Sequence, residues 1–107
     1  MWTPDEIAKE TRNRILIAVA AYAYEFRSES ILSDRDYDAL ALAIRPDMPT
    51  LRPSDKNNGR ASRVKKLDQF FRTTFHPDTG QWIHRHPELG RVAATYENFH
   101  VNKKARA

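Results

Sequence analysis

Four side chains in the first half of the chain are of types that grip a polar, aromatic ligand: Tyr24, Asp34, Tyr37 and Asp38. Three of them fall in the run Ser33-Asp34-Arg35-Asp36-Tyr37-Asp38-Ala39-Leu40. On a helix, acids four residues apart with a tyrosine beside them project from neighbouring positions in the first two turns. A tyrosine offers a ring face and a hydroxyl, and a carboxylate offers two acceptor oxygens, so the set could share one polar, aromatic pocket. Acids at that position also suit the positive end of a helix dipole, which is a purely structural reading of the same residues.

The elements that must position these side chains can be read from capping and periodicity. Thr3, Pro4 and Glu6 have the spacing of a capping box with proline at the first helical position. Ile7, Thr11, Ile15, Val19, Tyr22 and Phe26 then recur at helical steps and predict a core-facing stripe on a helix that runs to about Arg27. Tyr24 lies off that stripe and is free to face a ligand or solvent. Ser33 caps a second helix whose apolar side is Tyr37, Leu40, Ala41 and Ile44, and Pro46 ends it near Ile44 or Arg45. The two helices form an antiparallel hairpin.

Residues 46–61 hold Pro46, Pro49, Pro53, Asn57, Asn58 and Gly59, which read as an extended loop without helix. Ser62 caps a third helix with Val64, Leu67, Phe71 and Phe75 on one face, ended by Pro77 and the turn Asp78-Thr79-Gly80. Trp82 and Ile83 add core from a short segment. Pro87 opens a fourth helix carrying Leu89, Val92, Ala93 and Tyr96 at helical steps. The expected fold is all-α: a helical hairpin (residues 1–52, with its exit loop) followed by two or three shorter helices (53–101) and a basic tail (102–107), all in a single domain.

At 107 residues the chain suits one domain with a modest core. It holds no cysteine, which closes disulfide, thiolate-metal and cysteine-nucleophile chemistry and fits a reducing cytoplasm. The longest apolar run, Ile15 to Ala23, is too short to cross a bilayer, so the expectation is a cytoplasmic protein without membrane contact. The net charge of +4 is uneven. Residues 1–44 carry five basic and eight acidic side chains, whereas residues 45–107 carry thirteen and six. Such an asymmetry favours polyanions. Arg60, Arg63, Lys65 and Lys66 straddle the start of the third helix, where cations oppose the helix dipole, and are the candidate nucleic-acid contacts. A solvated face is the alternative.

Other signals are thinner. His76, His84, His86 and His100 lack a His-Glu-x-x-His spacing, and no metal is expected. Phe70, Phe71, Phe75 and Trp82 could stack on bases, but at helical spacing they read as core. With three glycines and no nucleophile–base pair in view, no phosphate-cradling loop or independent catalytic set is expected.

Tyr24, the Ser33–Leu40 run and Pro46-Asp47-Met48-Pro49-Thr50-Leu51-Arg52 together resemble the N-terminal nicotinamide-recognising (Ia) subdomain of NAD-dependent DNA ligases. That family shows a Tyr, a Ser-Asp-x-x-Tyr-Asp-x-Leu helix start and a Pro-Asp-x-Pro-Thr-x-Arg exit. The resemblance covers residues 22–52. It implies that Tyr24 and Tyr37 face a nicotinamide ring and that Asp34 and Asp38 are its polar partners, with NAD or nicotinamide mononucleotide as ligand. Arg52 falls on the arginine of the exit motif. Glu25 stands where the family has histidine and would repel a phosphate. No Lys-x-Asp-Gly follows, so nick sealing by the family's mechanism is not open to this chain.

The resulting expectation is a non-catalytic, ligase-related module of bacterial or phage DNA metabolism. It would bind a nicotinamide nucleotide or dock onto a nucleotidyltransferase or another protein of DNA metabolism. The alternative is a small basic nucleic-acid-binding or adaptor protein that uses the hairpin as scaffold.

Overall fold

Thr3 begins the fold as its spacing predicts: its hydroxyl accepts the Glu6 N–H at 3.2 Å while Glu6 Oε1 accepts the Thr3 N–H at 3.1 Å. The computed structural model describes residues 2–101, and the basic tail expected over 102–107 lies outside the described residues. Helix α1 spans Pro4–Arg27, α2 Asp34–Ala43, α3 Pro53–Asn57, α4 Ala61–Thr73 and α5 Leu89–Tyr96. A 3₁₀ turn over Gln81–Arg85 precedes α5 and a π-helical turn over Glu97–Val101 follows it. No strand occurs among the described residues, and no helix there is long and apolar enough to cross a membrane.

The long helix α1 is the hub, packed against α2, the 3₁₀ turn and α5. Its middle is Ile17-Ala18-Val19-Ala20-Ala21, all buried, and the small alanine side chains let neighbours approach on several sides. This corrects the stripe expected from apolar spacing: Ile15 and Phe26 are 53% and 43% exposed, while Glu10 and Arg14 are buried. The buried face runs through residues 10, 14, 17, 18 and 21 and widens to 19, 20 and 23, so of the expected stripe Val19 is buried and Tyr22 packs against the core. A buried salt bridge and a row of alanines share the buried face with Ile17 and Val19, while Ile15 and Phe26 fall outside it. Ser28 ends α1 in the left-handed region, at φ 51°, and the Glu29 N–H returns to the Ala23 carbonyl at 2.9 Å.

Ser33 accepts the Asp36 N–H at 3.1 Å, and α2 runs back along α1 with Ala41 and Ile44 buried and Tyr37 and Leu40 half-buried, as expected. The antiparallel sense is visible at both ends. Arg45, just after α2, donates its N–H to Glu10 near the start of α1, while Asp34 and Tyr37 meet Ala20, Ala21 and Tyr24 near its end.

Three expectations for the second half need correction. Residues 46–61 do contain a helix, α3, because Pro53 fits the first helical position and Asp55 accepts the Arg52 N–H at 2.9 Å. Ser62 does not cap α4, which begins one residue earlier with Arg60 in the cap position and no side-chain cap bond. Pro87 lies two residues ahead of α5, whose cap position is Glu88. The predicted α4 face holds in part: Phe71 and Phe75 join Phe70, Trp82, Ile83, Val92, Tyr96 and the α1 alanines in one core, whereas Val64 and Leu67 are half-buried and outside it. Phe70, Phe71, Phe75 and Trp82, whose spacing reads as core, are buried among one another, with Phe75 and Trp82 edge to face at 5.0 Å between ring centroids.

Candidate functional site

Tyr24, Asp34, Tyr37 and Asp38 line a single pocket of about 180 Å³ between the end of α1, the start of α2 and the turn Asp78-Thr79-Gly80. Tyr24 stands on the exposed side of α1, 62% exposed, because the buried face of that helix lies elsewhere. Asp34 and Asp38 are exposed on the first turns of α2, and Tyr37 between them is half-buried. The Tyr37 hydroxyl donates to the Thr79 carbonyl at 3.3 Å, and the Trp82 indole N–H donates to the same oxygen at 2.8 Å. One carbonyl therefore joins the pocket wall to the core. Gly80 closes the floor, where a methyl group would stand 3.4 Å from the Tyr37 hydroxyl and 3.6 Å from Ala21 Cβ.

Burial raises the Tyr37 pKa above the usual phenol value, and the Asp38 and Glu25 carboxylates push it further in the same direction. The phenol stays protonated and serves as a hydrogen-bond donor. Asp34, Asp38 and Asp78 put three carboxylates in the lining, which contains no basic residue. The arrangement attracts a cation and offers it aromatic faces. Ligand sites for drug-sized molecules span about 300–1,000 Å³, so this one has room for one ring and its substituent, not for a whole nucleotide.

Glu25 lies outside this lining. Its carboxylate is 2.9 Å from His84 Nε2, and the His84 ring packs 4.6 Å from that of Phe26. His86 turns to different partners: it packs against Phe70 with centroids 5.1 Å apart, and its Nδ1 accepts the Glu88 N–H at 2.9 Å. No group of three His, Cys, Asp or Glu side chains suited to a metal occurs among the described residues, and the His100 side chain lies outside them.

Burial lowers the His86 pKa from 6.5 to about 4. Because the unfolded chain binds the proton more readily, the stability contributed by the neutral ring is fully present above about pH 6.5 and is lost as pH falls toward 4. A shift of this size corresponds to about 3 kcal/mol, which solvent screening at a partly exposed ring reduces to about 1–2 kcal/mol. In denaturant titrations across that range, His86→Gln should lose less stability on acidification than the parent protein. Parallel curves would remove His86 as the cause.

The exit segment Pro46–Arg52 is tied into the fold by a buried polar cluster. Arg14, buried, is held by Glu10 Oε2 at 2.6 Å and Asp68 Oδ1 at 2.8 Å, and donates to the carbonyls of Arg45 at 2.8 Å and Met48 at 3.0 Å. Asp68 also accepts the Thr50 N–H at 2.9 Å and the Thr50 hydroxyl at 2.6 Å. This buried polar clamp joins α1, the segment and α4 with all of its groups hydrogen-bonded. The sequence reading missed Glu10, Arg14 and Asp68. The available signal was a Glu–Arg pair at i, i+4 in phase with Ile17, Ala18 and Ala21.

The basic candidates divide. Arg60 and Arg63 line a second, larger groove between α1, α4 and α5, whereas Lys65 and Lys66 are exposed and outside that lining. Arg52 lines the same groove. Fold and pocket together define a small all-helical protein with an acidic, aromatic pocket at one end of a helical hairpin. No protein-family model, curated protein or solved structure matches the chain.

Proposed function

We propose that the protein binds the positively charged nicotinamide end of a nicotinamide nucleotide, NAD or nicotinamide mononucleotide, as a non-catalytic module related to the nicotinamide-recognising part of NAD-dependent DNA ligases. The observation that carries this reading is the convergence of Tyr24, Asp34, Tyr37 and Asp38, spread over two helices, around one ring-sized pocket. Tyr24 and Tyr37 supply ring faces, and the aspartates supply charge and acceptors for the carboxamide and ribose hydroxyls. Since the lining has no cation, the phosphates stay outside, where a nucleotidyltransferase or another protein of DNA metabolism can hold them.

Titration calorimetry with nicotinamide mononucleotide, NAD and NADH tests this. The oxidised ring is cationic and the reduced ring is neutral, so NAD should bind at least about fivefold more tightly than NADH, the value of one cation–π contact of about 1 kcal/mol. Tyr24→Ala and Asp34→Asn should each weaken nicotinamide mononucleotide by about tenfold, and the exposure of both residues leaves folding intact. Absence of binding at millimolar ligand, or equal affinity for the oxidised and reduced forms, would end this reading.

A further inference from the structure

We infer that the groove between α1, α4 and α5 is a second binding site, for a small organic anion with an apolar body, such as an aliphatic or aromatic carboxylate. The groove encloses about 390 Å³, within the range of small-molecule sites. Its floor is apolar, with Ile15, Val64, Leu67 and Val92 in the lining. Ile15 is 53% exposed there, the one large aliphatic side chain of α1 that the groove leaves open to a ligand body rather than to the core.

Charge decides the class of ligand. Arg52, Arg60, Arg63 and Arg91 surround this floor. Two carboxylates of the lining answer two of them at long range: Asp55 Oδ2 is 3.9 Å from Arg52 Nε, and Glu88 Oε2 is 3.7 Å from Arg91 Nε. Arg60 and Arg63 form no ion pair among the described residues. Both stand at the start of α4, where the helix dipole opposes a cation. A carboxylate between them relieves that opposition and takes charge-assisted hydrogen bonds from two guanidinium groups, while its apolar part covers Val64 and Leu67. Arg14 also borders the groove, but it is buried and four of its five N–H donors are held by the clamp. The site shares no lining residue with the acidic pocket, so it stands or falls apart from the nicotinamide reading.

The test is fluorescence titration with anilinonaphthalene sulfonate on the folded full chain, followed by displacement with decanoate, decanol and short duplex DNA. The expected result is saturable binding of the probe, displacement by decanoate at concentrations about tenfold below those needed with decanol, and weakening by about tenfold in Arg63→Gln or Arg60→Gln. Amide shifts in two-dimensional NMR should concentrate at Val64, Leu67 and Val92. Ile15→Glu, which sets a carboxylate in the groove at an exposed position, should abolish binding while leaving the melting temperature near the parent value. The proposal is overturned if decanol displaces the probe as well as decanoate does. It is equally overturned if the arginine variants bind unchanged, or if DNA displaces the probe at lower concentrations than decanoate.

Discussion

Replacing Arg14 with methionine should cost about 3–5 kcal/mol of stability, because it removes the only cation from a buried site and leaves Glu10 and Asp68 charged without it. For a domain of this size the total is about 5–15 kcal/mol, so the variant should unfold at much lower denaturant or lose its cooperative transition at room temperature. Two further variants separate lost charge balance from lost volume. Adding Asp68→Asn to Arg14→Met should recover part of the loss, since an amide in that place leaves one unpaired buried charge fewer while keeping an acceptor for Thr50. Arg14→Lys should recover less than an ion-pair count suggests, because Arg14 uses Nε, Nη1 and Nη2 in different directions, and a lysine ammonium cannot span the same fork. A loss below about 1 kcal/mol in Arg14→Met would mean that the clamp is not a stabilising centre.

Truncating Phe71 to alanine should cost a similar amount, about 3–5 kcal/mol, through lost burial and the cavity left behind. Phe71 is buried and meets Phe70 edge to face at 5.4 Å, Phe75 at 5.5 Å and Trp82 at 5.8 Å between centroids. It also lies beneath Arg14, whose guanidinium carbon is 5.0 Å from the ring centroid. The two large effects should therefore be non-additive. In a double-mutant cycle of Arg14→Met with Phe71→Ala, a coupling of about 1 kcal/mol is expected from the cation–π contact and shared burial. Strict additivity would show that ring and guanidinium are independent neighbours.

How much of this was legible follows from the kind of signal each feature leaves. Thr3, Ser33 and the apolar side of α2 depend on residues a few positions apart, and periodicity and capping found them. Apolar spacing marks only part of the α1 face, since Val19 on that line is buried but Ile15 and Phe26 are not. A helix with neighbours on several sides buries its small residues, and here it also buries Glu10 and Arg14, whose partners Arg45, Met48 and Asp68 come from far along the chain. Pro53 was read as a breaker although proline suits a helix start, and α3 was lost with it. At the acidic pocket, the wall formed by α1 and α2 was legible because a hairpin brings its two ends together. The opposite wall, Asp78-Thr79-Gly80, was not, since nothing local ties that turn to Tyr37.

The clamp also bears on which substitutions this chain can accumulate. Arg14 recognises residues 45 and 48 through their carbonyl oxygens, and main-chain atoms are the same whatever side chain they carry. Drift at the exposed positions Arg45 and Asp47 is silent to that contact. Glu10, Arg14, Thr50 and Asp68 touch one another through side chains, so a tolerated change at one requires an answering change at another. In a set of diverged copies, the mark of this fold would be linked variation at positions 10, 14, 50 and 68 beside free variation at the exposed positions 45 and 47, with Met48 held apolar by its burial.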